Sequence, residues 1–441
     1  MKLGGKKLTS FQIIIFGFAG IILVGALLLM LPISARDRNW TQPLTALFTS
    51  TSSVCVTGLI VCDTGKYWSV FGQTVILILI QIGGMGVVLA ATAIAIFTGR
   101  RIGLLQRSLV QNSISSPQVG GVVKLVRFII RFIVAAEGIG VLLLSLVFVP
   151  EYGWIKGIRY SIFHSISAFC NAGFDILGSG PDGSSLMKYS GNIIINLTIM
   201  GLIIAGGLGF MTWQDLINKR EKRQKLRVQT RLILVMTVIL ILVPAVFFFI
   251  ELKDLPLKTR VLGALFQSVT TRTAGFNTLD LTRMPEGGQG VMVFLMLTGA
   301  APGSTAGGMK VTTLAVVILC ARSVFRREDE VHCMRHRIDT EIVRYASAVC
   351  CLYVGLFFIS AVAISEIEGL PLLTCLFETS SAIGTVGLTL GITSSLQSIS
   401  KVILILLMFF GRVGSLTLIY AFIPEITRSR GHYTAEKIMI G

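Results

Sequence analysis

Eight long apolar runs constrain this chain more than any other feature of its sequence. A helix crosses a bilayer with about 20 apolar residues, and runs of that length cover 11–33, 72–98, 125–149, 191–217, 229–250, 288–321, 342–366 and 399–424. Only 14% of the residues are charged, whereas soluble domains carry about 25%. The sequence therefore predicts an integral membrane protein. The first run is longer than the core of a typical signal peptide and lacks a small-residue cleavage site, so we expect it to be retained.

A shorter apolar segment lies between the two members of each pair of runs. These segments of about 12 residues cannot span a bilayer, and they cover 42–54, 157–169, 259–271 and 371–383. The chain therefore consists of four copies of span, half-helix, loop and span. We predict an all-α integral membrane protein with eight transmembrane helices and four re-entrant pore loops around one pseudo-fourfold pore. The predicted repeats cover 1–99, 100–218, 219–322 and 323–441.

The four short segments and their loops align on one glycine. They read ALFTSTSSVCVTGLIV, SIFHSISAFCNAGFDI, ALFQSVTTRTAGFNTL and CLFETSSAIGTVGLTL. One such loop is a weak signal, but four in matching hairpins indicate a shared structure. Glycine adopts backbone conformations that other residues resist, which allows successive carbonyl oxygens to face one axis. We predict a selectivity filter formed by the backbone carbonyls of Val56, Thr57, Gly58, Asn171, Ala172, Gly173, Thr273, Ala274, Gly275, Thr385, Val386 and Gly387.

The composition of these loops favours a monovalent cation. Rings of carbonyl oxygens replace the hydration shell of K⁺ in channel filters. The loop side chains vary from Val to Asn to Thr, which suits a site read through the backbone. The same variation argues against the carboxylate cage that a divalent ion prefers.

The distribution of lysine and arginine predicts the orientation in the membrane. These residues favour the N-terminus, the linkers between repeats and the C-terminal tail over the pore-loop side by about two to one. Both termini are therefore predicted to be cytoplasmic. The half-helices then enter from outside and point their partially negative C-terminal ends at the pore, which favours a cation. This topology accounts for the net charge of +17 without nucleic acid, and we expect no nucleotide site on the chain.

A second glycine signature lies deeper in each second span. In the first two copies, at 83–86 and 206–209, close helix packing and an opening in the pore are equally favoured. In the third copy, a proline and clustered small residues break the span. We predict a gating loop in the ion path at 299–308, with a kinked helix as the alternative. The residues assigned to this gate are Gly299, Pro302, Gly303, Ser304, Thr305, Gly307, Gly308 and Lys310.

Arg412 stands in the fourth copy where the first two have Gly84 and Gly207. An arginine at mid-membrane costs about 2.5–3.5 kcal/mol on insertion scales, so it usually faces a cavity or a partner. We predict that Arg412 projects into a cavity below the filter, repels cations and contacts the 299–308 loop. A structural salt bridge to Glu137 is the alternative.

Other classes of protein find little support in the sequence. Glu137 and Glu378 are the carboxylates within apolar segments, and they lie on different repeats. This argues against a membrane enzyme or a proton-coupled transporter, and the repeats lack the inverted orientation common in secondary transporters. The eight cysteines have no paired spacing, which predicts free thiols. His332, Cys333 and His336 lack a second matched pair of ligands, so a metal site there is disfavoured.

The four loops and eight spans resemble the Trk/Ktr/HKT superfamily of potassium transporters, and within it the Ktr-type membrane subunits, over nearly the whole chain. In that family one glycine per loop marks potassium selectivity, and serine in the first loop accompanies sodium transport in some plant members. Gly58 therefore implies K⁺ as the transported ion. The 299–308 loop and Arg412 resemble the family's intramembrane gate and its matching arginine.

The resemblance also implies a function and partners. The function is potassium uptake across the cytoplasmic membrane, with loosely selective or Na⁺-coupled transport as the alternative. The partners would be a second copy of the chain, forming a homodimer, and a cytosolic ring of nucleotide-binding regulatory subunits of the RCK type. These subunits would dock on the basic cytoplasmic faces.

Overall fold

A computed structural model describes residues 2–3, 6–7, 9–98, 103–113, 121–178, 186–222, 225–414 and 417. This part of the chain is predominantly helical. Its α-helices are α1 (Ser10–Met30), α2 (Pro43–Val54), α3 (Thr64–Tyr67), α4 (Val70–Met85), α5 (Val87–Phe97), α6 (Leu104–Ser113), α7 (Val122–Tyr152), α8 (Trp154–Phe169), α9 (Ile193–Gly207), α10 (Phe210–Lys222), α11 (Val228–Glu251), α12 (Leu257–Thr270), α13 (Glu286–Leu297), α14 (Val311–Phe325), α15 (Thr340–Glu368), α16 (Leu372–Gly384) and α17 (Ser398–Val413). Two short antiparallel pairs join β1 (Lys2–Leu3) to β2 (Lys6–Lys7) and β3 (Val331–Cys333) to β4 (His336–Ile338).

The first span of each repeat is one unbroken helix. These helices are α1, α7, α11 and α15, with 21, 31, 24 and 29 residues, and each is long and apolar enough to cross a membrane. Thr9 begins α1 with a capping box, in which its side chain and that of Gln12 satisfy each other's backbone N–H groups. Large apolar side chains such as Leu27 and Leu142 are exposed on these helices, as expected for surfaces that face lipid. The chain is a multi-pass membrane protein.

The four short helices lie where the sequence predicts the half-helices. They are α2, α8, α12 and α16, with 12, 16, 14 and 13 residues. Proline stands at the start of three of them, where its missing N–H costs no hydrogen bond. The aligned phenylalanine of each helix is fully or almost fully buried in the core: Phe48, Phe163, Phe266 and Phe377. These four helices are called the pore helices below.

The break predicted in the third repeat is present, and the second spans of the first two repeats are broken as well. Helices α4 and α5 meet at a 97° bend and α9 and α10 at a 93° bend, because Gly86 and Gly209 both take φ 83°, which glycine tolerates. Residues 298–310 separate α13 from α14. Helix α17 ends before Gly414 at φ 90°, and the rest of its predicted span lies outside the described residues apart from 417.

Other glycines of the same signature serve close packing. A Cβ built on Gly83 would clash with the backbone of Val54, the last residue of the first pore helix. Gly206 stands in the same relation to Phe169, and Gly411 to Ile383. In the first, second and fourth repeats the second span therefore approaches the C-terminal end of its own pore helix more closely than a side chain would allow. The glycine signature combines tight packing with a break a few residues later.

Three further features noted in the sequence concern basic residues, the polar stretch after α14 and the cysteines. The basic residues Arg100, Arg101 and Arg223 and the tail from residue 418 onward lie outside the described residues. The polar stretch after α14 contains the β3–β4 hairpin, which holds the His332, Cys333 and His336 cluster. All eight cysteines are free thiols, in agreement with their unpaired spacing.

Candidate functional site

The four loops that follow the pore helices share one unusual backbone conformation. The aligned glycines all have positive φ, at 91°, 66°, 76° and 94° for Gly58, Gly173, Gly275 and Gly387. The residue two positions earlier is also left-handed in every loop, with φ of 57° at Val56, 58° at Asn171, 72° at Thr273 and 51° at Thr385. Such conformations cost non-glycine residues about 1–3 kcal/mol each and persist where the surroundings enforce them. Four matched instances indicate a functional backbone arrangement.

The loops close into a ring in chain order. A Cβ built on Gly173 would lie 2.6 Å from the carbonyl oxygen of Ala274 in the next loop. Gly58 stands in the same relation to Ala172, Gly275 to Val386, and Gly387 back to Thr57. Each glycine therefore packs against the carbonyl of the central filter residue of its neighbour, all the way around. Glycine is required here by φ and by space, since real Cβ atoms essentially never approach closer than 3.0 Å.

Each pore helix also holds its loop through a hydroxyl residue in the last turns. The backbone N–H groups of Gly58 and Gly387 donate to the hydroxyls of Ser52 and Ser381, both at 3.0 Å. In the second and third loops the corresponding Ser167 and Thr270 hydroxyls donate to the carbonyls of Phe174 and Phe276, at 2.7 and 2.8 Å. The sequence analysis did not single out these four residues. Their signal was a column of Ser and Thr at the same place in the aligned repeats.

The filter lies deep in the protein at the ends of four helix dipoles. Eleven of the twelve predicted filter residues are buried, and Gly173 is half-buried. The loops begin directly after the C-terminal ends of α2, α8, α12 and α16. Those ends carry partial negative charge. A dry ring of backbone carbonyls with four such ends behind it is suited to a dehydrated cation.

The 299–308 loop packs against the fourth filter loop. A Cβ on Gly307 would meet the Thr385 side chain, and one on Gly308 would lie 2.8 Å from the carbonyl oxygen of Gly384. The Thr305 hydroxyl donates to the carbonyl of Phe169 at 3.0 Å. This loop is therefore in contact with the filter region of two repeats.

Backbone hydrogen bonds fasten the loop to the breaks of neighbouring spans. The Ala301 N–H donates to the carbonyl of Gly207 at 3.0 Å, and the Phe210 N–H donates to that of Gly303 at 2.9 Å. On the other side, the Gly308 N–H donates to the carbonyl of Gly411 at 3.0 Å. The loop is thus held between the second and fourth repeats. Its remaining predicted residues, Gly299, Pro302 and Ser304, lie in the same segment.

Arg412 joins this loop to the first repeat. Its guanidinium donates to the carbonyl of Thr305 and to those of Gly83 and Gly84, the last at 3.1 Å. The two glycine carbonyls belong to the last turn of α4, where helical carbonyls lose their usual partners, and that of Gly83 also accepts from the N–H of Gly86 at 3.0 Å. Hydrogen bonds to a charged donor contribute about 1.5–3 kcal/mol each, so three of them offset a membrane insertion cost of about 2.5–3.5 kcal/mol.

Lys310 holds the end of the same loop. Its ammonium donates to the carbonyls of Ala306 at 2.9 Å and Gly307 at 3.3 Å. Both cations border a cavity of about 280 Å³, which is also lined by Phe11, Phe18, Phe210, Pro302, Gly303, Ser304 and Tyr353. Two positive side chains and the loop therefore converge at one cavity.

The alternative partner considered for Arg412 is not in contact with it. Glu137 forms no ion pair among the described residues, and one of its carboxylate oxygens is buried without a hydrogen-bond partner. The salt-bridge interpretation of Arg412 was therefore wrong. Backbone carbonyl oxygens near the helix breaks take the place of the Glu137 carboxylate as partners of Arg412.

A second buried arginine also escaped the sequence analysis. Arg272 precedes the filter residue Thr273 and is only 7% exposed. Its Nη2 lies 3.5 Å from the Thr237 hydroxyl of α11, and its Nε has no partner. It borders a small cavity with Asn171 and Ala300, between the filter and the 299–308 loop. A charge at the end of a pore helix was the signal that could have found it.

A ring of filter loops at the centre of four membrane hairpins defines a cation transport protein. The chain belongs to the TrkH family, described as cation transport proteins, whose sequence profile matches residues 8–429. The predicted family is therefore confirmed, and with it the expectation that the chain is not an enzyme.

Individual relatives match nearly the whole chain. The Ktr system potassium uptake protein B of Bacillus subtilis (strain 168) is 41% identical over 99% of this chain and 97% of its own. The potassium/sodium uptake protein NtpJ of Enterococcus hirae is 36% identical over 99% of this chain and 98% of its own. The crystal structure of the potassium transporter TrkH from Vibrio parahaemolyticus has a TM-score of 0.73 at 19% identity, covering 96% of this chain and 86% of the other. That match confirms the predicted fold.

Proposed function

We propose that this chain is the ion-translocating subunit of a Ktr/Trk-type system that takes up potassium across the cytoplasmic membrane. The observation that carries the proposal is the ring in which Gly58, Gly173, Gly275 and Gly387 each pack against the next loop's carbonyl. Relatives at 41% and 34% identity that are named Ktr system potassium uptake protein B support potassium as the ion.

The filter selects the ion through the backbone. Positive φ at two positions in each loop turns carbonyl groups toward the shared axis, where they replace water around K⁺. The twelve filter residues predicted from the sequence supply these carbonyls, three from each repeat. The inside-negative membrane potential drives entry, at about 2.3 kcal/mol per charge per 100 mV.

The 299–308 loop and Arg412 form the gate. The carbonyls of Thr305, Ala306 and Gly307 accept from Arg412 and Lys310, so the loop is tied in place beside the filter by charged side chains. Release of these hydrogen bonds frees the loop to move. The positive charges raise the energy of a cation in the adjoining cavity while they remain there.

Sodium is the second candidate ion. The relative named potassium/sodium uptake protein NtpJ favours a system in which Na⁺ is transported with K⁺ or instead of it. A carbonyl ring with glycine in every loop favours K⁺ as the preferred ion.

The Bacillus subtilis relative is named as protein B of a Ktr system. That name supports further protein components that act with this chain. We infer a homodimer whose N- and C-termini are cytoplasmic, and regulatory subunits of the nucleotide-binding RCK type on the basic cytoplasmic side. Any nucleotide acts through those subunits.

Complementation tests the proposal. A bacterium that lacks its potassium-uptake systems is supplied with this chain and a Ktr-type regulatory subunit, then grown at low K⁺. Growth is expected with the wild-type chain and not with the empty vector. Failure of the wild-type chain, present in the membrane at normal levels, contradicts the proposal.

A further inference from the structure

The fourth pore helix carries a buried carboxylate that the filter and gate do not account for. Glu378 lies in the middle of α16 and is fully buried. In the aligned pore helices the same position holds Thr49, His164 and Gln267, so only the fourth copy places a carboxyl group there. A buried carboxylate is costly unless hydrogen bonds compensate it.

Two threonines from the segment after the filter supply those hydrogen bonds. The Thr389 hydroxyl donates to Oε2 of Glu378 at 2.8 Å, and the Thr393 hydroxyl donates to Oε1. Thr389 follows the filter glycine Gly387 by two residues. Its hydroxyl oxygen lies 3.1 Å from that of Thr393 and accepts from the N–H of Gly391 at 3.0 Å. The carboxyl group of Glu378 therefore holds the segment that follows the filter, residues 388–393, against α16 at two points.

The other loops fasten this part of the chain differently. In the second and third repeats, hydroxyls of Ser167 and Thr270 hold the carbonyl that follows the filter glycine. In the fourth repeat the corresponding Ser381 is engaged with the N–H of Gly387 itself. Ser52 of the first repeat is engaged in the same way with the N–H of Gly58. The first and fourth loops therefore both lack that contact beyond the glycine, and in the fourth loop the Glu378 network holds this part of the chain.

We propose that Glu378 is a positioning residue for ion selectivity, which fixes the fourth filter loop by tying Thr389 and Thr393 to the pore helix. Its role is geometric: the carboxylate acts as a double hydrogen-bond acceptor. Loss of that acceptor loosens the carbonyls of Val386 and Gly387 and weakens the discrimination between K⁺ and Na⁺. The inference rests on the proposed potassium uptake function.

The test compares substitutions at Glu378 in purified protein reconstituted into liposomes, by uptake of K⁺ and of Na⁺. Because each lost hydrogen bond is worth about 1 kcal/mol, or about fivefold, Glu378→Ala is expected to lower the K⁺-over-Na⁺ preference about fivefold or more. The K⁺ concentration for half-maximal uptake is expected to rise by a similar factor, with the maximal rate changed less than about twofold. Glu378→Gln keeps one acceptor oxygen but replaces the other with an NH2 donor, so its ion preference is expected to fall between those of the wild type and Glu378→Ala.

Single-hydroxyl variants keep the test decisive if Glu378→Ala does not fold. Thr389→Val and Thr393→Val each remove one donor and are expected to shift the preference in the same direction. Thr379→Val is the matched control, because the Thr379 hydroxyl bonds only to the carbonyls of Cys375 and Leu376 in its own helix.

Two results overturn the inference. One is an unchanged ion preference in Glu378→Ala, or in both threonine variants. The other is a defect in Glu378→Gln as large as that in Glu378→Ala, which would assign the role to charge instead of geometry. Failure of the wild-type chain to take up K⁺ would contradict the proposed function instead.

Discussion

The guanidinium of Arg412 donates a hydrogen bond to the carbonyl oxygen of Thr305, 107 residues earlier in the chain. The same side chain reaches the carbonyl of Gly83, 329 residues away. One residue thereby connects the break in the first repeat, the loop of the third and the last span. If the 299–308 loop is the gate, as we propose, removal of Arg412 is expected to loosen it from the first and fourth repeats.

Arg412→Ala is expected to increase K⁺ uptake at saturating concentration. The variant loses the hydrogen bond from Arg412 to the Thr305 carbonyl of the loop, and a loss of about 1.4 kcal/mol already raises the freed fraction up to tenfold. Arg412→Lys keeps the charge but cannot span three carbonyls, so an intermediate rate is expected. Uptake by reconstituted protein measures both. An unchanged rate and concentration dependence in Arg412→Ala would remove the residue from the gate.

Thr305→Val is expected to act in the same direction with a smaller effect. It deletes the hydroxyl that donates to Phe169 at 3.0 Å, a contact worth about 1 kcal/mol, or up to about fivefold in uptake rate. Thr92→Val is the matched control, since the Thr92 hydroxyl bonds to Val88 in its own helix. Equal rates in both variants would contradict the role of the Thr305 contact.

Ser52→Ala and Ser381→Ala are expected to reduce the K⁺-over-Na⁺ preference. Each leaves the buried N–H of a filter glycine without an acceptor, which costs about 1–3 kcal/mol. Competition uptake assays measure the preference. Ser53→Ala is the control, because the Ser53 hydroxyl bonds to Thr49 in the same helix. A control as impaired as Ser52→Ala would show that the effect comes from the helix and not from the filter.

Cys62 is expected to react slowly with thiol reagents at pH 8. Burial, with a smaller contribution from the neighbouring Asp63 charge, raises the pKa of its thiol to about 12, and the thiolate is the reactive form. Because a raised pKa keeps the thiol neutral below that value, labelling should speed up about tenfold per pH unit between pH 8 and 10.

A surface thiol provides the comparison for Cys62. Ser395 is exposed and lies in another loop on the predicted outer side, so Ser395→Cys in a Cys62→Ser background should be labelled rapidly by a membrane-impermeant maleimide. Labelling of Cys62 at the same rate would contradict its burial. Absence of Ser395→Cys labelling in right-side-out vesicles would contradict the proposed orientation.

The pore helices and the positions of the loops after them were predictable because their signals are local and repeated. Short apolar segments that end in glycine occur four times, and the α16 helix ends at Gly384, one residue past its predicted limit. The alignment also contained the hydroxyl column of Ser52 and Ser381, which gained meaning only from the hydrogen bonds to the glycine N–H groups.

The sequence predicted the break in the third repeat and the contact of Arg412 with the 299–308 loop, which the structure contains at the Thr305 carbonyl. The breaks of the first two repeats and the other atoms that Arg412 contacts could not be predicted in the same way. Gly83 allows close packing and Gly86 allows a break in the helix. The sequence cannot distinguish these two roles, because the two glycines differ only in φ. The partners of Arg412 are backbone carbonyls, which leave no mark in the sequence, whereas Glu137 was a visible charge of the right sign. Side-chain charge therefore suggested the wrong partner.

The K⁺-over-Na⁺ preference of Gly58→Ser, measured beside the wild type in liposomes, tests the filter most directly. A Cβ at this position would clash with the carbonyl of Ala172, and φ is 91°. The preference is expected to fall about tenfold or more, which corresponds to about 1.4 kcal/mol. Gly290→Ser, at a glycine with open space around it, should match the wild type. An unchanged preference in Gly58→Ser would contradict selection by the ring of backbone carbonyls.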